Sequence, residues 1–203
     1  MIQELHAPQN RNYRLKSCPE TALASLIYNL ERVVGDQDPK GIAASVSDAD
    51  MNAIRTDGSF IPERFLQPVS PGYARRLIYM GADRRFSILA MVWAPGQRTP
   101  LHDHGGQWCV ECVYRGEIHG TNFEVERERD GIFYFKERSV VREVEGQSSA
   151  LVPPFDHHML ENRSDSTAVT LHVYANELLT CNAYHPRDDS GYERRVTRLG
   201  YTA

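Results

Sequence analysis

Two histidines separated by one residue, His102 and His104, follow the turn-forming stretch Gly96-Gln97-Arg98-Thr99-Pro100 and precede an apolar run that ends near Gly116. Side chains on a β-strand alternate between faces, so a His-x-His pair there points both imidazoles to one side. Neutral imidazole nitrogens are donors that a transition metal takes readily, and one short segment already supplies two of them. A third donor must come from elsewhere in the chain. Downstream, Pro153-Pro154-Phe155-Asp156-His157-His158 leads to Asn162. It offers two adjacent histidines, and one strand face can present only one of them.

Other reactive residues are sparse. Four cysteines, Cys18, Cys109, Cys112 and Cys181, are few for 203 residues, and a chain of this length builds a core without disulfide staples. Reduced thiols are expected. Cys109 and Cys112 have the spacing of a Cys-x-x-Cys motif, but residues three apart on a strand face opposite ways and cannot clamp one ion together. His6, His119 and His185 are expected to be solvated, and Trp93 and Trp108 to belong to the core or a pocket wall.

The elements that must position these residues follow from periodicity. Residues 20–34 place Leu23, Ile27, Leu30 and Val34 on one helical face. Asp38-Pro39 and the stretch Ser47–Asp50 have the character of helix starts. A helical N-terminal segment is therefore expected over residues 1–66. Gly58, Pro62, Pro68, Pro71 and Gly72 mark a loop between Asp57 and Gly72. From Tyr73 the chain reads as short strands broken by turns: 73–80, 86–93, 108–114, 117–126, 132–136, 140–144, 150–152, 168–174 and, at the edge, 192–199. Residues 184–191 read as polar loop. Many short strands without intervening helices predict a mainly β fold, a jelly-roll β-barrel over 67–203 within one domain, 1–203.

Composition narrows the partners. The formal net charge of −4, with both signs interspersed, leaves no basic footprint for nucleic acid, and no stretch approaches the roughly 18 apolar residues of a bilayer span. The start lacks a charged region followed by an apolar one. A cytoplasmic protein acting on a small molecule is expected.

Gly96, His102, His104 and Gly116, followed by Pro153, His158 and Asn162, resemble the two half-motifs of the cupin superfamily. Cupins usually place a metal-binding glutamate five residues after the second histidine, where this chain has Cys109. Three histidines with cysteine in that position resemble the thiol dioxygenases, cysteine dioxygenase above all. The resemblance extends from about Tyr73 to Leu199 and includes Tyr73-Ala74-Arg75, Thr170-Leu171-His172-Val173-Tyr174 and Cys181-Asn182-Ala183-Tyr184.

It implies Fe(II) held by His102, His104 and His158, the spacing to Asn162 favouring His158 over His157. The metal site would be neutral, without a carboxylate. Arg75, with Tyr73, would bind the substrate carboxylate, and Tyr174, His172 and Cys109 would form the catalytic group, with a Cys109–Tyr174 thioether crosslink. The implied reaction oxidises L-cysteine with O2 to cysteine sulfinic acid. The same chemistry on 3-mercaptopropionate or mercaptosuccinate is the alternative, with Arg98 available for a second carboxylate. Relatives acting on 3-mercaptopropionate share Pro-Gly-Gln-Arg-Thr-Pro but carry glutamine at the position of Arg75. A third option is a metal cupin that binds or isomerises a small acid. One departure is Ala175-Asn176-Glu177, where the mammalian enzymes have Ser-Pro-Pro, so the pocket floor must be built differently.

Overall fold

The strand Phe86–Trp93, β2, is buried at all eight positions. An antiparallel strand reaches that state only when both faces of its sheet are covered. In the computed structural model, which describes residues 21–34, 53, 56 and 61–203, the cover comes from one helix on the outside and a second sheet on the inside.

The helix, α1, is Ala22–Val33, capped by the Thr21 hydroxyl, which accepts from the Ala24 amide at 3.2 Å. Its Leu26 and Leu30 are 1% exposed and pack on Phe86, Ile88, Ala90 and Val92. Burial of two leucines contributes roughly 3–6 kcal/mol toward docking the helix. Ala53 and Thr56 are also helical. The helix starts expected at Asp38-Pro39 and Ser47–Asp50 lie outside the described residues. Between Ile61 and Gly72 the chain forms a loop with one 3-10 turn, Glu63–Phe65. No helix among the described residues is long and apolar enough to cross a membrane.

The remaining strands are β1 Ala74–Met80, β3 Leu101–His102, β4 Cys109–Arg115, β5 Glu117–Arg129, β6 Ile132–Val144, β7 Ser148–Leu151, β8 His158–Glu161, β9 Ala168–Ala175, β10 Thr180–Pro186 and β11 Tyr192–Arg198. One sheet has the order β1-β2-β9-β4-β7; the other runs β10-β11-β6-β5-β8-β3 and closes through β3 on β10. Every pairing between these strands is antiparallel. The mainly β, two-sheet architecture is the one expected.

Along β2, β4 and β9 alternate residues divide between two cores. Ile88, Val110, Cys112, Leu171 and Val173 face the helix, while Leu89, Cys109, Val113 and Tyr174 face the other sheet. Cys109 and Cys112 therefore lie on opposite faces.

Several boundaries differ from expectation. The strands expected at 132–136 and 140–144 are one, β6, because its hairpin with β5 continues through the exposed residues between them and absorbs two register shifts. Both faces there meet water, so apolar alternation carries no signal. Tyr184–Pro186 belongs to β10 rather than to a loop, paired along its length with β11. The strands β3 and β8 are too short for periodicity to register.

The turn at Gly96 is tied to the end of β8. The Gly96 amide donates to the Asn162 carbonyl at 2.8 Å, and the Asn162 amide to the Gln97 carbonyl at 3.0 Å. The fully buried Asn162 side chain donates to the Trp93 and Ser166 carbonyls. Both histidine segments thus hang from one knot of backbone hydrogen bonds.

Gly116 and Gly96 both have left-handed backbone, φ +78° and +77°. A Cβ at Gly116 would also lie 3.2 Å from the Thr167 carbonyl oxygen, whereas at Gly96 it meets nothing within 4 Å. Gly96→Ala should therefore cost about 1–2 kcal/mol for the backbone conformation alone, and Gly116→Ala measurably more. Urea unfolding of both variants checks this; equal losses would show that the Thr167 contact relaxes freely.

Candidate metal and substrate site

Three imidazoles converge between the sheets. His102 sits at the end of β3 directly opposite His158 of β8, and His104 lies just beyond β3. Their ring centroids are 4.6, 5.1 and 5.3 Å apart, and their candidate ligand atoms lie within 4.8 Å of one another. His102 and His104 share a direction although only the first is in a strand. The chain after β3 is steered by Asp103, whose carboxylate accepts from the Gly105 and Asn182 amides, the Asn182 side chain and the Tyr184 hydroxyl. Burial pushes the Asp103 carboxyl up, but these four bonds outweigh it and hold it below its ordinary range.

The protonation of the histidines suits a metal. His102 Nδ1 lies 3.1 Å from the Pro100 carbonyl. A carbonyl can only accept, so the proton sits on Nδ1 and the Nε2 lone pair is free. Burial holds His102 below the usual histidine range, and holds His104 and His158 well below it, with neighbouring imidazoles acting in the same direction on those two. Both ring nitrogens of His104 and Nε2 of His158 are buried without a hydrogen-bond partner. Unpaired buried nitrogens are costly, and a metal ion would satisfy the lone-pair nitrogen of each ring. Asp156 accepts from the His104 amide at 3.1 Å and lies 3.8 Å from its Nδ1, placing a carboxylate behind that ligand. A three-imidazole set fits a divalent first-row transition metal.

His157 points away. Its Nε2 lies 3.3 Å from the Tyr184 hydroxyl and its ring sits beside Phe135. His119 and His185, expected to be solvated, are each half-buried, and His119 Nδ1 is enclosed.

The facing sheet supplies a second set of groups on its inner face. In the β4–β9 register Cys109 is opposite Tyr174, and Glu111 is opposite His172. Trp93 Nε1 donates to Thr170 Oγ1 at 2.9 Å, which lies 2.7 Å from His172 Nε2. Indole can only donate, so the threonine hydroxyl accepts from it; with the hydroxyl's own proton given to Nε2, His172 carries its proton on Nδ1. That proton faces the Glu111 carboxylate and the Tyr174 hydroxyl oxygen, each 3.2 Å away. Burial, then Cys109 and Glu111, push the Tyr174 phenol well up, so it stays a proton donor. The buried Cys109 thiol is likewise raised.

Both sets meet at a cavity of about 80 Å³ whose wall includes Tyr73, Arg75, His102, Glu111, His172 and Tyr174. One water needs roughly 10–15 Å³ of such space, so the room suits a small molecule. Arg75 is buried; its guanidinium donates to the Leu178 carbonyl at 2.7 Å and the Gly200 carbonyl at 3.3 Å, and its Nε is unpaired. Arg76, one residue on, points the other way and donates to the Phe65 and Gln67 carbonyls. Tyr73 stacks on Trp93 at 4.3 Å. Cys181 lines the same cavity as a thiol, its pKa pushed up to about 11 mainly by burial. Arg98 is exposed and lines a different groove, so it does not reach this cavity. In the stretch Ala175-Asn176-Glu177, Asn176 is left-handed, φ +57°, and exposed, with no cis peptide there, and the buried Leu178 that follows is what reaches the cavity wall.

One expectation is corrected. With Cys109 in the position of the cupin glutamate, the sequence predicts a site without a carboxylate. Glu111, 4% exposed, brings one to the same cavity two residues later. A charged residue in phase with Cys109 and Val113, inside the buried part of β4, was the available signal.

A family model described as cysteine dioxygenase type I matches residues 41–187. Cysteine dioxygenase type 1 of Homo sapiens is 28% identical over 126 residues, 62% of this chain and 60% of that protein. Its counterpart in Danio rerio is 26% identical over 117 residues, 57% of each. The chain thus spans about 60% of the length of the first of these relatives. A crystal structure of a Thermus thermophilus protein aligns with TM-score 0.44 and 21% identity over 58% of this chain and 97% of that one.

The depressed histidines carry a pH signature. A base whose folded pKa is lowered contributes stability that is fully present above its unfolded value, about 6.5, and is lost as pH falls. Metal-free protein should lose thermal stability between about pH 7 and 5, and His158→Gln should lose less over that interval. Identical slopes would mean that burial does not keep His158 neutral.

Proposed function

Because the chain belongs to the cysteine dioxygenase type I family, we propose that it is an iron-dependent thiol dioxygenase whose substrate is L-cysteine. The observation that carries this reading is the cluster of His102, His104 and His158, whose member His102 lies on the wall of the small cavity that Arg75 and Tyr174 also line. The overall change is R–SH + O2 → R–SO2H; both oxygen atoms end on sulfur and no external reductant is needed.

Fe(II), held by His102, His104 and His158, would supply the Lewis acidity that favours thiolate and the redox chemistry that makes dioxygen reactive. Arg75 is permanently charged and its unpaired Nε faces a buried setting, so it attracts a carboxylate and fixes which end of the substrate lies deep. Thr170 and His172 orient the Tyr174 hydroxyl. That hydroxyl, kept protonated by burial, donates toward the substrate carboxylate or a developing oxygen charge. Met91, Leu160 and Leu178 line the cavity and limit water around the reacting sulfur. Cys109 and Tyr174 are direct cross-strand partners, which favours a thioether between Sγ and the ring carbon beside the hydroxyl; two hydrogens leave, with O2 as oxidant.

Cysteine is preferred over the two other thiols for stated reasons. Mercaptosuccinate needs a second cation, and among the described residues Arg75 is the one arginine on this cavity, with Glu111 opposing a second negative charge. 3-Mercaptopropionate lacks the ammonium group that a nearby carboxylate favours. Localisation in the cytoplasm, and the absence of nucleic-acid or membrane partners, belong to the same reading.

Oxygen uptake by anaerobically iron-loaded protein with L-cysteine, 3-mercaptopropionate and mercaptosuccinate should be fastest with cysteine. No uptake with any thiol would leave a metal cupin that binds or isomerises a small acid. Arg75→Ala should keep its iron and lose about 10–100-fold in kcat/KM for cysteine, the equivalent of a charged hydrogen bond of about 1.5–3 kcal/mol; undiminished turnover would remove Arg75 from the site. Intact mass should drop by two hydrogens after turnover, and an unchanged mass in active enzyme would rule out the crosslink.

A further inference from the structure

Glu111 enters the proposed reaction only through its charge toward the substrate, and its setting calls for more. It is 4% exposed, lies on the inner face of β4, and separates the small cavity from a larger one of about 280 Å³ on its other side. Its Oε1 is 3.2 Å from His172 Nδ1, 3.8 Å from His158 Nε2 and 3.8 Å from Cys109 Sγ. Among the described residues its ion-pair neighbours are those two imidazoles, with no lysine or arginine at ion-pair distance. The larger cavity adds a second carboxylate, Glu143, and no cation.

Taking a carboxylate out of water is unfavourable unless a positive charge or several hydrogen bonds replace the water. The His158 imidazole, at 3.8 Å, is beyond hydrogen-bond distance of the carboxylate. Both ring nitrogens of His104 and Nε2 of His158 are buried without a hydrogen-bond partner. The candidate ligand atoms of Glu111, His104 and Cys109 also lie within 4.8 Å of one another.

We propose that Glu111 is a carboxylate of the metal centre: beside His104 and His158 it supplies one negative charge to a divalent cation held by the three histidines. The inference rests on the three-histidine metal site and not on which thiol, if any, is oxidised. Oxygen donors suit the harder members of the first-row series, ferrous iron among them. A charge from Glu111 lowers the net charge of the centre from 2+ to 1+. Cys109 occupies the usual place of a cupin carboxylate, and the charge re-enters from two residues further along the same strand face.

The reading assigns opposite signs to two effects of Glu111→Gln, which keeps shape and removes charge. Chelator competition with Co(II), and with Fe(II) under anaerobic conditions, should show binding about 10–100-fold weaker than wild type. Metal-free E111Q should melt at or above metal-free wild type, because the buried charge without a cation is gone. A residue that merely props His172 predicts the reverse, a lower melting temperature and metal binding unchanged. Binding within about twofold of wild type, or a metal-free variant that melts lower, overturns the proposal. If E111Q does not fold, difference infrared spectra of wild type on Co(II) loading decide: the proposal requires carboxylate-stretch bands to change, and a spectrum without them overturns it. Unchanged metal affinity in E111Q that still oxidises cysteine would sink this inference alone. Weakened affinity in a protein whose wild type oxidises no thiol would sink only the proposed reaction.

Discussion

Everything in this site depends on the two-residue alternation of strands buried on both faces. In β4 and β9 each step along the chain exchanges the helix side for the cavity side. Cys109 and Glu111 are opposite Tyr174 and His172 because the register of one pairing puts them there. A slip by one residue would send all four into the apolar layer under α1 and bring Val110, Cys112, Leu171 and Val173 to the metal. The covering helix is therefore part of the chemistry. By burying one face of the sheet among apolar side chains, its leucines leave the opposite face as the one that can hold polar groups.

The electrostatics follow from the same burial. Neutral histidines, a protonated phenol and a protonated thiol are the forms expected where water is excluded, and the directions of their shifts agree. The charges that persist have different supports. Asp103 is held by four hydrogen bonds, and Arg75 by backbone carbonyls and two aromatic rings. Glu111 is met by the His172 ring at 3.2 Å and the Cys109 thiol at 3.8 Å. The site thus holds charge at a few fixed points and keeps the groups between them neutral.

Most of this is legible in the amino-acid sequence, for identifiable reasons. Strands buried on both faces announce themselves as apolar runs, and Phe86–Trp93 is found where expected. His102, His104 and His158 are marked by the order of turn glycines and by Asn162, whose side chain proves to stitch those segments together. The features that escape have weak local signals. The segments β3 and β8 are shorter than the window over which periodicity is read, and β10 is polar. The hold on Arg75 from Leu178 and Gly200 comes from more than a hundred residues away. Glu111 escapes because the resemblance expects a carboxylate at the position of Cys109, and the next residue of the same face carries no motif of its own.

The knot between Gly96 and Asn162 has a consequence for how the protein is made. His102 and His104 are close in sequence, but His158 joins them only after the long β5–β6 hairpin has formed and the chain has returned along β8. An unfolded chain offers a metal scattered donors, never this set, so loading follows closure of that loop instead of guiding it. The ion then binds the folded state alone and stabilises it in proportion to the logarithm of its concentration over its dissociation constant. A falling supply of the metal that fits this site would then appear first as a shortened lifetime of the chain.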